Sequence, residues 1–348
     1  MKIWIYQGGI KLISKSGIGK AIEHQKEALG KSRKDAAMGV FPDCEIVQLN
    51  TVFPDSVLVA LLAKLMRKNV VYYAHSTMED FKKSFKGSDV IAPLFKKWIK
   101  FCYSLGDVIV TPTEYSKKLL LSYGIRKEII NLSNGIDLEY YQRDPNMRSQ
   151  FRKKYGFTNV DKVIISAGHY IERKGIEDFA LMAERMPEYK FIWFGYTNSN
   201  LIPDKIKKLL ELHLPNLYFP GYITKEELKE AYGGSDLFLF MTHEETEGIV
   251  LLEALAMRVP ILVRDIPVYQ SWLTDKKQVY KAAENHEFER LIGEIVEGLA
   301  PDLTEEGHLQ AAERSIGKVG DALYDIYQGV RKVKQEADTK FKVKIPIN

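Results

Sequence analysis

The chain has 348 residues, about twice the length of an ordinary domain, so two domains are expected. Hydrophobic residues at 45% and charged residues at 28% exclude a disordered or fibrous chain. The net charge of +4 hides an asymmetry: residues 1–150 hold 23 Lys+Arg against 15 Asp+Glu, and the remainder 27 against 31. A basic amino-terminal half points to an anionic partner, whether nucleic acid, phosphate or an acidic membrane surface. The apolar run Val57 to Ala63 is cut by Lys64, far short of the roughly 20 residues of a membrane span. Ile3 to Tyr6 is too short for a signal-peptide core, and Cys44 and Cys102 are too few for a disulfide framework or a thiolate metal site. A cytoplasmic location is expected.

In chain order, the first half offers strands at Ile3–Tyr6, Glu45–Leu49, Val70–Tyr73, Asp107–Thr111 and Ile129–Leu132. Amphipathic stretches at Gly19–Leu29, Asp55–Arg67 and Glu114–Tyr123 alternate with them. The second half repeats the rhythm with strands at Val163–Ala167, Lys190–Phe194, Leu217–Pro220, Leu237–Met241 and Ile261–Val263. Helices are expected near Ile176–Met186, Lys225–Tyr232 and Ile249–Met257. Alternation of helices with strands that are apolar almost throughout predicts an α/β protein whose parallel sheets are covered on both faces. We expect two Rossmann-like domains, residues 1–150 and 151–310, with the polar stretch Tyr141 to Lys154 as boundary. Residues 311–348 are expected to add a helix, packing back toward the first domain, and a loosely ordered charged tail from Lys332.

The strongest chemical signal follows the strand Leu237–Met241: His243-Glu244-Glu245-Thr246-Glu247-Gly248-Ile249, leading into Glu253-Ala254-Leu255-Ala256. Ligands of α/β sheets sit beyond the carboxyl ends of strands, and a helix starting near Gly248 would turn its free amides toward them. Glu245 in the loop and Glu253 in the helix can border one cleft, where a carboxylate can accept from two vicinal sugar hydroxyls. The plainer reading is that Glu244, Glu245 and Glu247 only favour the helix amino terminus.

Glu245, seven residues, Glu253, then Ala-Leu-Ala and Val259-Pro260-Ile261-Leu262-Val263 resemble the signature of the retaining GT-B glycosyltransferases of family four. Asn134-Gly135-Ile136-Asp137, the turn Gly168 to Gly175, Phe219-Pro220-Gly221-Tyr222 and Thr224 to Leu228 match the same family in the same order. The resemblance implies two Rossmann-like domains facing across a cleft. Glu253 would bind the ribose hydroxyls of a nucleotide sugar and Glu245 those of the transferred sugar. The backbone amides at Glu247, Gly248 and Ile249, with Thr242, would hold sugar and diphosphate. Lys174 would neutralise the leaving diphosphate. The family's Arg after the glycine of that turn is His169 here; Arg173 is a candidate to supply the missing guanidinium, and His169, neutral or protonated, is a candidate to contribute at the donor as well. The family's Gly-Phe-Gly after the first Glu is replaced by Thr246-Glu247-Gly248, and Arg258 stands where glycine is common.

In the first domain, Gln7-Gly8-Gly9 and Ser16-Gly17-Ile18-Gly19 let backbone approach a phosphate or sugar, with Gly17 placed at the donor. Alone, such glycines mark only tight turns. His75, after the strand Val70–Ala74, stands where the family places an active-site histidine; without that resemblance it reads as a strand-end histidine. No Asp-x-Asp occurs and no residue set has metal-ligand spacing, so no metal or other cofactor is expected. The resemblance assigns catalysis to His75, Arg173, Lys174 and Glu245 and implies same-face attack by the acceptor with no covalent nucleophile.

Phe81-Lys82-Lys83-Ser84-Phe85-Lys86 and Pro93-Leu94-Phe95-Lys96-Lys97-Trp98-Ile99-Lys100-Phe101 interleave six lysines with five aromatics. On a helix, Leu94, Phe95, Trp98, Ile99 and Phe101 would largely share one face flanked by lysines, the layout of an interfacial anchor on anionic lipid. An ordinary amphipathic helix packed on its own domain has the same pattern. Ile5-Tyr6-Gln7-Gly8-Gly9 through Lys15 to Gly19, Asn50 to Ser56 and Arg173-Lys174-Gly175-Ile176 are similar to the Gram-positive glycolipid synthases. Those enzymes add a second hexose to monoglucosyl-diacylglycerol for the lipoteichoic acid anchor. This resemblance implies UDP-glucose or UDP-galactose as donor, a glycolipid acceptor, and a peripheral location on the inner face of the cell membrane. A soluble or polysaccharide acceptor and a catalytically silent GT-B partner are the alternatives. No groove-reading module for nucleic acid is visible.

Overall fold

The computed structural model describes residues 1–9, 17–31 and 36–343, with side chains to residue 333. Lys15 and Ser16 of the first glycine segment lie outside the described residues. The chain divides into two compact units. The first comprises Met1–Thr77, Pro93–Gly135 and Arg314–Asn348, and the second Met78–Ala92 and Ile136–Glu313.

In the first unit, strands β1 (Lys2–Tyr6), β2 (Ala37–Met38), β3 (Ile46–Leu49), β4 (Asn69–Tyr73), β5 (Val108–Thr111) and β6 (Glu128–Asn131) form one sheet in the order β2-β1-β3-β4-β5-β6. Every pairing is parallel, with Ile3 opposite Ile46, Val47 opposite Val70 and Val71 opposite Val108. These residues are fully or nearly fully buried, which is why the strands read as continuous apolar runs.

The second unit carries β7 (Val163–Ala167), β8 (Lys190–Phe194), β9 (Leu217–Gly221), β10 (Leu237–Phe240), β11 (Ile261–Arg264) and β12 (Tyr280–Ala282), again all parallel, in the order β12-β11-β10-β7-β8-β9. From β7 the chain runs outward through β8 and β9, then returns to place β10 on the other side of β7. Such a reversal leaves a crevice at the carboxyl ends of the two central strands. The loops after β7 and β10 therefore meet there.

All ten expected strands are present to within a residue or two. The two additional strands, β2 and β12, are short edge strands of two and three residues, too short for a periodic signal. The chain passes between units at Gly135–Ile136, earlier than the polar stretch Tyr141 to Lys154. Part of that stretch is helical, from Met147 to Tyr155. Met147 and Phe151, one turn apart, bury against Gly233 and Gly234 of the helix Lys225–Gly234, where added Cβ atoms would collide with them. The tail expected to be loose from Lys332 continues a helix, Ile316–Val343. Among the described residues no helix is long and apolar enough to cross a membrane.

The helix Ile316–Val343 packs on the helix Gly17–Lys31 of the same unit. Gly320 makes this possible, because a Cβ there would collide with the Ala28 carbonyl. Gly320→Val should therefore force the two helices apart and lower unfolding stability by about 1–3 kcal/mol in urea denaturation. An unchanged midpoint would show that the helices do not need this close approach.

Candidate active site

The loop after β7 turns through Glu172–Lys174 and ends at Gly175, whose φ of +77° and crowded surroundings demand glycine: a Cβ would run into the Met241 backbone. This close approach seats Lys174 beside the loop that follows β10. Lys174 Nζ is paired with Glu245 Oε1, and the same oxygen accepts from Thr242 Oγ1 at 3.0 Å. Glu245 Oε2 accepts no hydrogen bond from the described residues. Burial pulls the Glu245 carboxyl up, yet Lys174 and Arg173 together hold it below the usual carboxylate range. Burial and the Arg173 charge draw Lys174 down, while Glu245 acts to keep its proton on. Each partner favours the charged form of the other, against a burial that disfavours both.

Arg173, also buried, is committed to the protein itself. Its Nη1 donates to the Glu244 carbonyl at 2.6 Å and pairs with Asp80 at 2.9 Å, while Nε donates to Ser84 Oγ at 3.2 Å. Its carbonyl accepts from the His243 amide at 2.8 Å. The guanidinium braces the β10 loop against the segment Met78–Ala92. His169, half-buried, has Nδ1 2.6 Å from the Tyr196 carbonyl, so Nδ1–H donates and Nε2 is bare in the neutral ring. Burial lowers its pKa, and Lys174 and Arg173 lower it further against the opposing Tyr196 hydrogen bond. At neutral pH the residue standing where the family has an arginine carries no charge.

Gly248, with φ +93°, caps the helix Ile249–Ala256, and Glu247 and Ile249 on either side of it are buried. Glu253 lies in this helix, fully buried, with the Tyr232 hydroxyl 3.0 Å from Oε2. The Tyr141 hydroxyl is close enough that Glu253 adds to its raised pKa, second to burial. His243 and Arg264 both donate to Asp178 Oδ2, at 2.8 and 2.7 Å, steadying the loop from its other side. Among the described residues, no group of three His, Cys, Asp or Glu side chains is placed to hold a metal ion.

In the first unit, Gly17 starts the helix Gly17–Lys31 and is exposed. His75 is buried just beyond β4, stacked on Tyr73 with ring centroids 4.6 Å apart. Its Nε2 is 3.1 Å from Asn50 Oδ1 and 3.4 Å from Gln25 Nε2.

The lysine–aromatic segment is divided. Lys82, Lys83 and Lys86 belong to the second unit, where Lys83 pairs with Glu172 at 2.9 Å and Lys86 with Asp204 at 3.3 Å. Lys96, Lys97, Trp98 and Lys100 lie in the first unit on the helix Ser88–Ser104. The single apolar face expected there is two adjacent stripes. Ile99 and Cys102 face inward, whereas Leu94 and Phe101, seven residues apart, are exposed. Trp98 is half-buried with Nε1–H donating to the Val52 carbonyl at 2.7 Å, and Lys96 lies over the Tyr123 ring. Lys97 and Lys100 are exposed.

The residues that sequence reading missed come from distant positions. Tyr232 and Tyr141 flank Glu253, Asp80 and Ser84 hold Arg173, and Asp178 with Arg264 holds His243. None of them belongs to a local motif. A second omission had a signal. Leu58, Leu61, Leu62, Leu65 and Met66 repeat at helical spacing and are all exposed along the helix Pro54–Leu65 and its C-cap, Leu65 by 81%.

Residues 147–304 match the family described as glycosyl transferases group 1, and residues 31–140 match glycosyltransferase family 4. The chain is 37% identical to the processive diacylglycerol alpha-glucosyltransferase of Acholeplasma laidlawii, over 96% of this chain and all of that protein. It is 27% identical to the alpha-galactosylglucosyldiacylglycerol synthase of Streptococcus pneumoniae, over 57% of this chain and 54% of that one. Among solved structures, Anabaena Alr3699/HepE in complex with UDP-glucose superposes with a TM-score of 0.73 at 15% identity, covering 94% of this chain and all of that one.

The buried His75 gives a pH-dependence that can be signed. Burial lowers its pKa from 6.5 to about 3. An unfolded imidazole takes up its proton near pH 6.5 and the folded one only near pH 3. The stability is therefore present above pH 6.5 and is lost as pH falls through that window, by roughly 1.4 kcal/mol per unit. Urea midpoints of the wild type and His75→Gln should diverge at pH 7 and converge toward pH 4; parallel curves would mean that His75 titrates normally in the fold.

Proposed function

The chain belongs to the family-four glycosyltransferases, of GT-B fold, and from that premise we propose that it transfers a hexose from UDP-glucose or UDP-galactose to the glycolipid monoglucosyl-diacylglycerol. The observation that carries the reading is the convergence of Lys174, Thr242 and Glu245 at the carboxyl ends of β7 and β10, with Glu253 in the helix that follows. Glu253 takes the ribose diol and Glu245 Oε2 the hydroxyls of the transferred sugar. The amides at Glu247 to Ile249 and the Lys174 ammonium take the diphosphate, whose charge favours a helix amino terminus. The acceptor hydroxyl attacks the anomeric carbon on the face the diphosphate leaves. One C–O bond forms, the C–O bond to phosphate breaks, and the proton passes to a phosphate oxygen. The alpha product in the Acholeplasma enzyme's name supports retention, because UDP-glucose is itself alpha-linked.

Arg173 acts here as a brace. The reaction runs without a metal ion, the positive charge coming from Lys174 and the helix end. The neutral His169 favours one competing reading, a silent GT-B partner, which turnover alone decides. In the first assay, product formation from UDP-glucose or UDP-galactose should persist in excess EDTA, nearly vanish for Lys174→Ala, and be absent altogether if the protein is silent. Calorimetry should show UDP binding weakened by about 1.5–3 kcal/mol in Glu253→Gln, the loss of a charged hydrogen bond; undiminished affinity would take Glu253 out of the nucleotide site.

A lipid acceptor calls for a docking surface, and the protein works in this reading as a peripheral enzyme on the inner face of the cell membrane. Support comes from the exposed stripe Leu58, Leu61, Leu62, Leu65 and Met66, together with Leu94 and Phe101 and the exposed Lys97 and Lys100. Within the first unit, residues 54–77 and 93–127 hold ten Lys+Arg against three Asp+Glu, a balance suited to anionic lipid. Inserted leucines contribute a salt-insensitive part of the binding and lysines a part that salt screens. Sedimentation with anionic vesicles should fall for Lys97→Glu/Lys100→Glu at low salt, and for Leu61→Ser/Leu65→Ser at every salt concentration. Wild-type binding by both variants would favour a soluble acceptor.

A further inference from the structure

Within the second unit, Glu253 is held by a side chain to which the donor chemistry assigns no role. Tyr232 stands on the helix Lys225–Gly234 and is fully buried, its ring edge-on to Phe238 of β10 with centroids 5.6 Å apart. This packing fixes the ring and carries its hydroxyl to the helix Ile249–Ala256. There the oxygen lies 3.0 Å from Glu253 Oε2 and 3.1 Å from the Val250 carbonyl oxygen.

The phenol has one proton for these two acceptors. Burial raises its pKa well above the usual value, and the Glu253 charge and hydrogen bond raise it further, so the hydroxyl stays a donor. A carboxylate accepts more strongly than a neutral carbonyl, which directs the proton to Glu253. One bond at Oε2 does not use up a carboxylate, whose two oxygens offer about four lone-pair sites. What the bond removes is rotation. The last torsion of a glutamate is broad, so an unheld carboxyl group can turn its plane, whereas one held at Oε2 presents Oε1 in a single direction. Close to Glu253, the buried Tyr141 hydroxyl has no hydrogen-bond partner among the described residues. Buried hydroxyls are rarely left unmade, and one beside a held carboxylate suits a place that receives further hydroxyl groups.

We propose that Tyr232 is a positioning residue of the donor site, which sets the plane of the Glu253 carboxylate and thereby makes the site select a full ribose diol over a ribose lacking one hydroxyl. The proposal rests on the reading that Glu253 takes the ribose. A carboxylate held in one plane meets both hydroxyls of the diol at once, and an analogue missing one of them leaves a buried oxygen unpaired. With the Tyr232 hydroxyl removed, the carboxyl group turns, the two-pronged contact is lost, and with it the discrimination.

The test is calorimetry on the full chain with UDP, 2′-deoxy-UDP and 3′-deoxy-UDP. The wild type should bind UDP at least about tenfold more tightly than one of the two analogues, the loss of a charged hydrogen bond. Tyr232→Phe, which keeps the ring, should weaken UDP about tenfold and that analogue far less, so that the affinity ratio falls toward one. Loss of the Val250 contact or of packing acts on all three ligands alike and cancels in the ratio. Tyr232→Met, read in the same way, serves if Tyr232→Phe does not fold. In Glu253→Gln the ratio should also fall, and adding Tyr232→Phe should lower it no further. A ratio lost in Glu253→Gln but kept in Tyr232→Phe overturns the proposal and leaves Glu253 at the ribose. A ratio and UDP affinity kept in Glu253→Gln remove Glu253 from the ribose and overturn both.

Discussion

The second unit's site depends on keeping one ammonium and one carboxylate charged in a place where water cannot attend them. Separately, a buried Lys174 or Glu245 would cost several kcal/mol and would shed its charge. Together they are tolerated because Glu245 Oε1 receives both the Lys174 ammonium and the Thr242 hydroxyl. That geometry exists only because the β7 turn and the β10 loop touch at Gly175, where any side chain would strike the Met241 backbone. The strand order β10-β7-β8 brings the loops together, glycine lets them meet, and the ion pair forms at the contact. In the proposed reaction, a diphosphate competes with Glu245 for the same ammonium, so the resting pair holds Lys174 in place before the donor arrives.

The same reasoning redistributes the positive charge that the sequence shows as a single block. Lys83 and Lys86 answer Glu172 and Asp204, and Arg173 answers Asp80 and the Glu244 carbonyl. These cations tie the segment Met78–Ala92 to its unit, Arg173 buried and Lys83 and Lys86 in ion pairs at the surface. Exposed charge at Lys97 and Lys100 lies in the other unit, and the exposed leucines of the helix Pro54–Leu65 belong to that unit as well. A charge count along the chain overstates what any one surface can offer, because partners chosen by the fold cancel part of it.

What could be read from the sequence follows from how local each signal is. Strands buried on both faces announce themselves by continuous apolar runs, and the spacing from Glu245 to Glu253 places one carboxylate in a loop and the other in the next helix. The helix Met147–Tyr155 was hidden because its composition is basic; only Met147 and Phe151, one turn apart, mark its inner face, and Arg152 is buried by pairing with Asp236 at 2.7 Å. Leu58 to Met66 carried a clear helical period, yet its meaning turned on exposure, which periodicity alone does not give. Tyr232, Asp80, Ser84 and Tyr327 reach their partners through the fold, from positions whose sequence neighbours say nothing of them.

The two units meet polar demands in opposite ways. Around Lys174 the groups are ionised and compensate one another. Around His75 they are neutral, the amides of Gln25, Gln48 and Asn50 with the Tyr327 phenol and the imidazole, and the Asn50 amide nitrogen has no hydrogen-bond partner among the described residues. Burial accounts for both arrangements. At His169 it suppresses a charge that Lys174 and Arg173 already disfavour, and at His75 nothing opposes it. Histidine in the place of the family's arginine therefore does not substitute for it electrostatically at neutral pH. With Arg173 committed to Asp80, Ser84 and Glu244, the positive charge of the loop after β7 rests on Lys174, which makes the placement of that one ammonium by Gly175 and Glu245 the constraint on which donor chemistry in this chain turns.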